Sequence, residues 1–109
     1  MNLSFVIPAF NEERTIEPLI EGIIHNSVPY SPQIILVDDG STDNTFSEMQ
    51  KMQSKYPNNV EIIKLRKNFG KSTALAVGFK NATGDIVITM DADLQDDPKE
   101  IARMIQKIH

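Results

Sequence analysis

The chain of 109 residues contains no cysteine and no tryptophan. Without cysteine it can form neither disulfide bonds nor thiolate metal sites. No apolar stretch approaches the roughly 20 residues that a membrane-spanning helix needs, so we expect no membrane span in this chain. An excess of positive charge is also missing. The net charge is −4, which argues against a nucleic-acid backbone as the main partner.

Four short runs rich in valine, isoleucine and leucine predict β-strands. They cover residues 3–7, 33–37, 60–65 and 85–90. Helical patterns lie between these runs, and strands that alternate with helices favour right-handed βαβ crossovers. We therefore expect an α/β fold, a Rossmann-like parallel sheet with helices on both faces. The length fits one domain.

The helical patterns differ in strength. The first helix should begin after Thr15 as N-cap, with Pro18 in its first turn and apolar residues at Ile16, Leu19, Ile20, Ile23 and Ile24. A second, weaker stripe is formed by Phe46, Met49, Met52 and Tyr56. A third begins after Gly70 and should bury Leu75, Phe79 and Ala82, with Gly78 indicating close packing.

A fourth helix should begin with Asp97 as N-cap and Pro98 as its first residue. Its pattern runs to His109 without a C-terminal stop signal. We therefore expect residues 1–109 to be the nucleotide-binding part of a larger domain, truncated at the C-terminus.

Acidic turns follow three of the predicted strands, "PAFNEE", "DDGSTDNT" and "DADLQDD". In open parallel sheets, ligands bind beyond the carboxyl ends of the strands, where the strand order reverses. Asp91 and Asp93 would share a face of an extended segment, so both can reach one cation. Oxygen ligands favour Mg²⁺ or Mn²⁺. We interpret residues 41–45, and also Asp96 and Asp97, as turn and helix-capping residues.

Two motifs for phosphate or calcium binding are incomplete. "FGKST" has the tail of a P-loop, but Leu65 stands where the first glycine belongs. An EF-hand loop from Asp91 would place Asp96 and Ala102 at its glycine and glutamate positions. A receiver-type signalling domain has its acidic pair after the first strand, whereas here the pair follows the second strand. A haloacid-dehalogenase-like phosphatase has threonine or valine where this sequence has Gln95. Both alternatives are therefore disfavoured. A noncatalytic nucleotide-binding module stays open.

Four ordered segments resemble family 2 glycosyltransferases of the GT-A fold, most of all the polyprenyl-phosphate glycosyltransferases. These segments are "VIPAFNEE", "LVDDGSTDNT", "RKNFGKSTALAVGF" and "MDADLQDDP". The resemblance implies transfer of a sugar, with inversion and with Mg²⁺ or Mn²⁺, from a UDP- or GDP-linked donor to a polyprenyl phosphate. It also implies a cytoplasmic location at the cytoplasmic face of a membrane.

The resemblance assigns roles to individual residues. Asp91 and Asp93 are the catalytic pair and, with Gln95, the metal ligands. Asp39 would contact the base or ribose, and Asn68, Gly70 and Lys71 match an N-x-G-K segment in which glycine permits close backbone approach. The implied nucleotide-sugar-binding residues are Pro8, Phe10, Glu12, Val37, Asp39, Lys71, Asp91, Ala92, Asp93 and Gln95.

Overall fold

Four parallel strands form the centre of the fold in a computed structural model that describes residues 2–27, 30–93, 103, 106 and 107. The strands are β1 (Leu3–Ala9), β2 (Gln33–Asp38), β3 (Val60–Lys64) and β4 (Ile86–Thr89). The helices between them are α1 (Ile16–Asn26), α2 (Thr45–Lys55) and α3 (Lys71–Asn81). The predicted α/β class and parallel sheet are confirmed. The predicted fourth helix falls mostly on residues that the structure does not describe.

Strand β1 is two residues longer than the sequence predicts, since it continues through Pro8 to Ala9. Proline is rare in central strands because it has no N–H to donate. The carbonyl of Val6 faces β4 and accepts a hydrogen bond from the Met90 N–H at 3.2 Å. Pro8 lies two residues later and points to the same side, where β4 has already ended. The missing donor at Pro8 therefore removes no bond from the ladder.

One face of the sheet is covered by α1 and α2. Alternate residues of β1 and β2 point to this face, since side chains of a strand alternate between its two sides. They are buried against the apolar stripe of α1 and against Met49 and Met52 of α2. The stripe predicted for α1 is confirmed, as is the presence of Pro18 in its first turn. This larger core contains Phe5, Ile7, Ile16, Leu19, Ile20, Ile23, Ile34 and Leu36.

Helix α3 covers the other face, and here the predicted apolar stripe is correct only in part. Leu75 and Ala82 are partly buried against this face, but Phe79 is 48% exposed, and the fully buried residues of the helix are Ala74 and Gly78. A Cβ placed on Gly78 would lie 2.4 Å from Cγ1 of Val6. The helix therefore lies so close to the sheet that only small residues fit beneath it, which confirms the close packing expected at Gly78.

The strand order β3-β2-β1-β4 reverses direction beside β1. Chain connections from β1 run through α1 and α2 toward β3, and the next crossover returns past β1 to β4. This reversal leaves a cleft at the carboxyl ends of β1 and β4, where ligands bind in such sheets. Within the described ranges, no helix has the length and apolar character needed to cross a membrane.

Candidate functional site

A cavity of about 240 Å³ opens at the carboxyl edge of the sheet, where the strand order reverses. Its walls come from the ends of β1, β2 and β4 and from the first residue of α3. The lining residues are Pro8, Ala9, Phe10, Glu12, Asp39, Lys71, Asp91, Ala92 and Asp93. The structure thus brings together most of the residues that the sequence selected, and it adds Ala9.

Two of the selected residues are not part of this wall. Val37 is fully buried and packs with Val6 and Ala74 beneath α3, so its side chain faces away from the cavity lining. Gln95 lies outside the described residues. The roles assigned to both by the family resemblance stay predictions.

The turns after β1 and β2 are hydrogen-bonded to each other, and we call residues 10–15 and 39–45 the paired turns. The Asn11 N–H donates to Ser41 Oγ at 2.9 Å, and Asn11 Oδ1 accepts from the Thr42 N–H at 2.8 Å. The Glu12 N–H donates to Thr45 Oγ1 at 2.8 Å. Asn11 has a φ of 53°, a left-handed conformation that asparagine tolerates better than most residues. Sequence reasoning missed this role of Asn11.

Asp43 orients the hydroxyl group on which Glu12 depends. Thr45 donates both its hydroxyl and its backbone N–H to Asp43 Oδ1. Burial alone raises the pKa of Asp43, but hydrogen bonds from Thr45, together with backbone N–H groups of Glu13 and Asp43, outweigh it and hold the pKa below its ordinary value. Because the Thr45 hydroxyl donates to an ionised carboxylate, its lone pairs stay available to the Glu12 N–H. The sequence interpretation of residues 41–45 as turn and cap residues missed this link to β1.

Asp38, the last residue of β2, is fully buried. Its Oδ1 atom accepts a hydrogen bond from the Ser41 N–H at 2.9 Å. Its Oδ2 atom has no hydrogen-bond partner among the residues that the structure describes. A buried acceptor without a partner is unusual in folded proteins. Asp38 directly precedes Asp39, which lines the cavity.

Asp39 fixes the loop that leads into α3. Its Oδ1 accepts from the Phe69 N–H at 2.9 Å and its Oδ2 from the Gly70 N–H at 3.1 Å. Charge-assisted bonds of this kind are stronger than neutral ones. The carboxylate predicted to meet a base or ribose is therefore also the anchor of residues 69 and 70.

The structure gives Gly70 a conformational reason. Its φ is 102°, a conformation that side chains disfavour. A Cβ on Gly70 would meet no described protein atom within 4 Å, so the close backbone approach that the family resemblance implies, which concerns the donor, stays a prediction. A close approach between backbone segments occurs at Gly40, where a Cβ would lie 2.3 Å from the backbone carbon of Lys67.

The two aspartates after β4 lie in the wall of the same cavity, but not in an extended segment as expected. Ala92 and Asp93 form a turn, and Ala92 is buried in the larger core, which fixes the turn from below. Asp91 forms an ion pair with Lys71, whose ammonium contacts Asp91 Oδ1. Asp91 thus has a positively charged partner, a lysine at the start of α3.

The described residues suit a divalent cation of the Mg²⁺ or Mn²⁺ type. Asp91 and Asp93 offer oxygen ligands only, and an ammonium group already occupies a cation position at Asp91. In the described part of the chain, no cluster of three or more histidine, aspartate or glutamate residues has metal-binding geometry. Two carboxylates suffice for a cation that retains water and binds phosphate oxygens.

Comparison with known proteins gives a consistent result. The chain matches the profile described as "Glycosyl transferase family 2" over residues 4–109. It is 40% identical, over 99% of its length, to a dodecaprenyl-phosphate galacturonate synthase from Rhizobium johnstonii, of which it covers 32%. Over the same share of its length it is 40% identical to a dolichol-phosphate mannosyltransferase from Pyrococcus furiosus, of which it covers 30%. The chain thus spans about a third of these relatives.

Among solved structures, the mannosyltransferase PcManGT from Pyrobaculum calidifontis, in complex with GDP-Man and Mn²⁺, superposes with a TM-score of 0.80. The two sequences are 26% identical, and the match covers 95% of this chain and 31% of PcManGT. PcManGT, which shares the sheet and helices described above, is thus a protein whose structure contains a nucleotide sugar together with a divalent cation.

Proposed function

Because this chain belongs to glycosyl transferase family 2, we propose that it binds a nucleotide diphosphate sugar and acts in the transfer of that sugar to a polyprenyl phosphate. The observation that carries the proposal is the cavity itself. Carboxylates from three strand ends and one lysine line a single opening at the point of strand reversal. Both curated relatives described above are named for polyprenyl-phosphate or dolichol-phosphate sugar transfer.

The cavity has two chemically different ends. Pro8, Phe10 and Glu12 come from the turn after β1, and Phe10 offers a partly exposed ring. Asp91, Asp93 and Lys71 come from the other side. We assign the nucleoside to the β1 side, where an aromatic ring and hydrogen-bonding groups are present. The diphosphate is then assigned to the side of Asp91, Asp93 and Lys71.

Asp91 and Asp93, with Gln95 as a third ligand, would hold Mg²⁺ or Mn²⁺. When bound, the cation neutralises charge on the departing nucleoside diphosphate. The residues of this chain bind and orient the donor, and transfer proceeds with inversion. A polyprenyl phosphate acceptor is already ionised at neutral pH, so it needs little help from a general base. Since such an acceptor is a membrane lipid, we place the reaction at the cytoplasmic face of a membrane.

Titration calorimetry with UDP, GDP and their sugars, in Mn²⁺ and in EDTA, tests the donor site. We expect binding in Mn²⁺ and at least tenfold weaker binding in EDTA, since without the cation Asp93 repels a diphosphate and Lys71 is paired with Asp91. Asp91→Asn should remove the effect of Mn²⁺. Asp85→Asn, at the opposite end of β4, removes the same charge and should leave binding unchanged. Equal affinity in Mn²⁺ and EDTA would contradict the proposed cation site.

Transfer is tested separately, with radiolabelled donors, a short polyprenyl phosphate and the entire protein that contains this chain. Label in the lipid fraction that depends on Mn²⁺ and on Asp91 is the expected result. Donor binding without transfer to any lipid or hydroxyl acceptor would instead support a noncatalytic nucleotide-binding module.

A further inference from the structure

Lys71 and Asp91 separate two neighbouring cavities. The first is the donor cavity described above, and the second has a volume of about 250 Å³. The second is lined by Leu75 of α3 and by Thr89 and Met90 at the end of β4, together with the ion pair. The side chains of Lys71 and Asp91 are 60% and 48% exposed, so the pair stands at the surface between two open spaces.

The position of Lys71 is unfavourable for α3 itself. Lysine is the first residue of the helix, and the first turn contains no acidic residue. The N-terminus of a helix carries partial positive charge, and a cation there lowers helix stability. Neither does the side chain cover apolar core, because Lys71 is exposed. The ion pair with Asp91 is the interaction that explains a lysine at this position.

The loop before α3 is fixed in a way that directs Lys71 to the aspartates. Asp39 accepts hydrogen bonds from the two N–H groups that immediately precede Lys71, those of Phe69 and Gly70. Gly78 holds the helix close to β1 further along. The backbone that carries Lys71 is therefore anchored at two points, and its exposed side chain borders both cavities.

We propose that Lys71 is a built-in counter-ion that competes with the divalent cation for Asp91. The inference rests on the cation site proposed above. While no cation is bound, the ammonium of Lys71 neutralises Asp91 and so reduces the repulsion between Asp91 and Asp93. When a cation binds, it displaces the ammonium. With a nucleoside diphosphate in the cavity, the released ammonium pairs with a phosphate oxygen, as lysine commonly does.

This competition gives Lys71 opposite effects on the two ligands. Without nucleotide, the lysine weakens cation binding because the cation must break the ion pair. With nucleotide, the same lysine strengthens binding because the ammonium has gained a partner. Cation and nucleotide therefore bind cooperatively, and part of their coupling is carried by one side chain.

Manganese binding to the chain alone is the first test, measured from the EPR signal of free Mn²⁺. Lys71→Met should bind Mn²⁺ about two- to fivefold more tightly than the unmodified chain, the range expected from the energy of exposed ion pairs. Lys71→Arg keeps the charge and should bind as the unmodified chain does. Lys80→Met, in the last turn of the same helix, is the matched control and should also leave Mn²⁺ affinity unchanged.

Calorimetry with UDP and GDP in saturating Mn²⁺ is the second test. Here Lys71→Met should bind the better of the two nucleotides several-fold more weakly, while Lys80→Met should not. A purely structural role of Lys71 would shift both affinities in the same direction. A Lys71→Met chain that binds Mn²⁺ no more tightly than the unmodified chain would overturn the inference.

Asp91→Asn distinguishes this failure from a failure of the cation site itself. If Asp91→Asn binds Mn²⁺ as well as the unmodified chain, the cation site is elsewhere, and the proposed site and the role of Lys71 both fall. If Asp91→Asn loses Mn²⁺ while Lys71→Met changes nothing, the site stands and only the competition is wrong.

Discussion

The two faces of the sheet are built differently. On the face of α1 and α2, long apolar side chains such as Phe5, Ile20 and Met49 fill a thick core. On the face of α3, the buried residues beyond the strands are Ala74 and Gly78, and Phe79 points to solvent. The first face is therefore held by side-chain volume. The second is held by close approach and by the anchoring of the α3 loop through Asp39.

This difference matters for the site because the two faces supply different parts of it. The turn that carries Glu12 leads into α1, on the thick face, whereas Lys71 is carried by α3, on the thin face. A thin layer with few interlocking side chains resists displacement less than a thick one. The side of the cavity to which we assign the nucleoside in our proposal thus belongs to the more firmly packed half of the molecule.

The largest expected effect is the loss of stability when side-chain volume is removed from the thick face. Ile20→Ala should lower the free energy of unfolding by about 2–5 kcal/mol, because Ile20 is fully buried and its removal leaves a cavity. Leu75→Ala, a matched truncation in the partly buried part of α3, should cost less than about 2 kcal/mol. Urea denaturation followed by circular dichroism measures both. Equal losses would show that the faces do not differ in packing.

Adding side-chain volume should destabilise the face of α3, where removing volume costs little. Gly78→Val should cost about 1–3 kcal/mol, because the added side chain collides with the stiff Val6 on a central strand. Ala76→Val, on the exposed side of the same helix, should cost about 0.5 kcal/mol through helix propensity alone. The same denaturation experiment compares them. If Gly78→Val is tolerated as well as Ala76→Val, α3 is free to move away from the sheet.

The smallest expected effect concerns the outer rim of the thick face. Hydrogen bonds from Lys55 and then Tyr56 hold the pKa of Glu21 below its ordinary value of 4.5. A carboxyl with a lowered pKa stabilises the fold above its unfolded pKa, and the stabilisation is lost as the pH falls through the folded value. The stability difference between the unmodified chain and Glu21→Gln should therefore shrink between neutral pH and pH ~3. A constant difference would remove the ionic link between α1 and α2.

The sequence predicted the thick face better than the thin one, for a physical reason. Helix α1 has isoleucine and leucine at regular spacing, and apolar periodicity detects such a stripe. In α3 the contact residues are Ala74 and Gly78, which are too small to dominate a hydrophobic pattern. The large residue Phe79 dominated instead, although it is exposed. Periodicity thus identifies helices that pack through large side chains and misjudges those that pack through small ones.

The position of the site was predictable from the sequence, because ligands bind at the carboxyl ends of the strands in parallel sheets. Acidic turns after three strands had to meet at one edge, and the cavity lies there. The bonds between segments were not predictable. Asp39 contacts residues about 30 positions away through their backbone N–H groups. Almost every residue has a backbone N–H, so the residue types do not show which of these groups donate to Asp39. Lys71 matches an N-x-G-K segment in the sequence, but only the fold shows that it pairs with Asp91.

The paired turns have a consequence for altering the specificity of this protein. Four hydrogen bonds join Asn11 and Glu12 to Ser41, Thr42 and Thr45, so the shape of each turn depends on the other. A loop transplanted from a relative after β1 would have to replace the Asn11 oxygen that accepts from Thr42, and place its own N–H groups against the hydroxyls of Ser41 and Thr45. Recombination between relatives should therefore treat both turns as a single module, with crossover points inside β1 and α2 rather than between them.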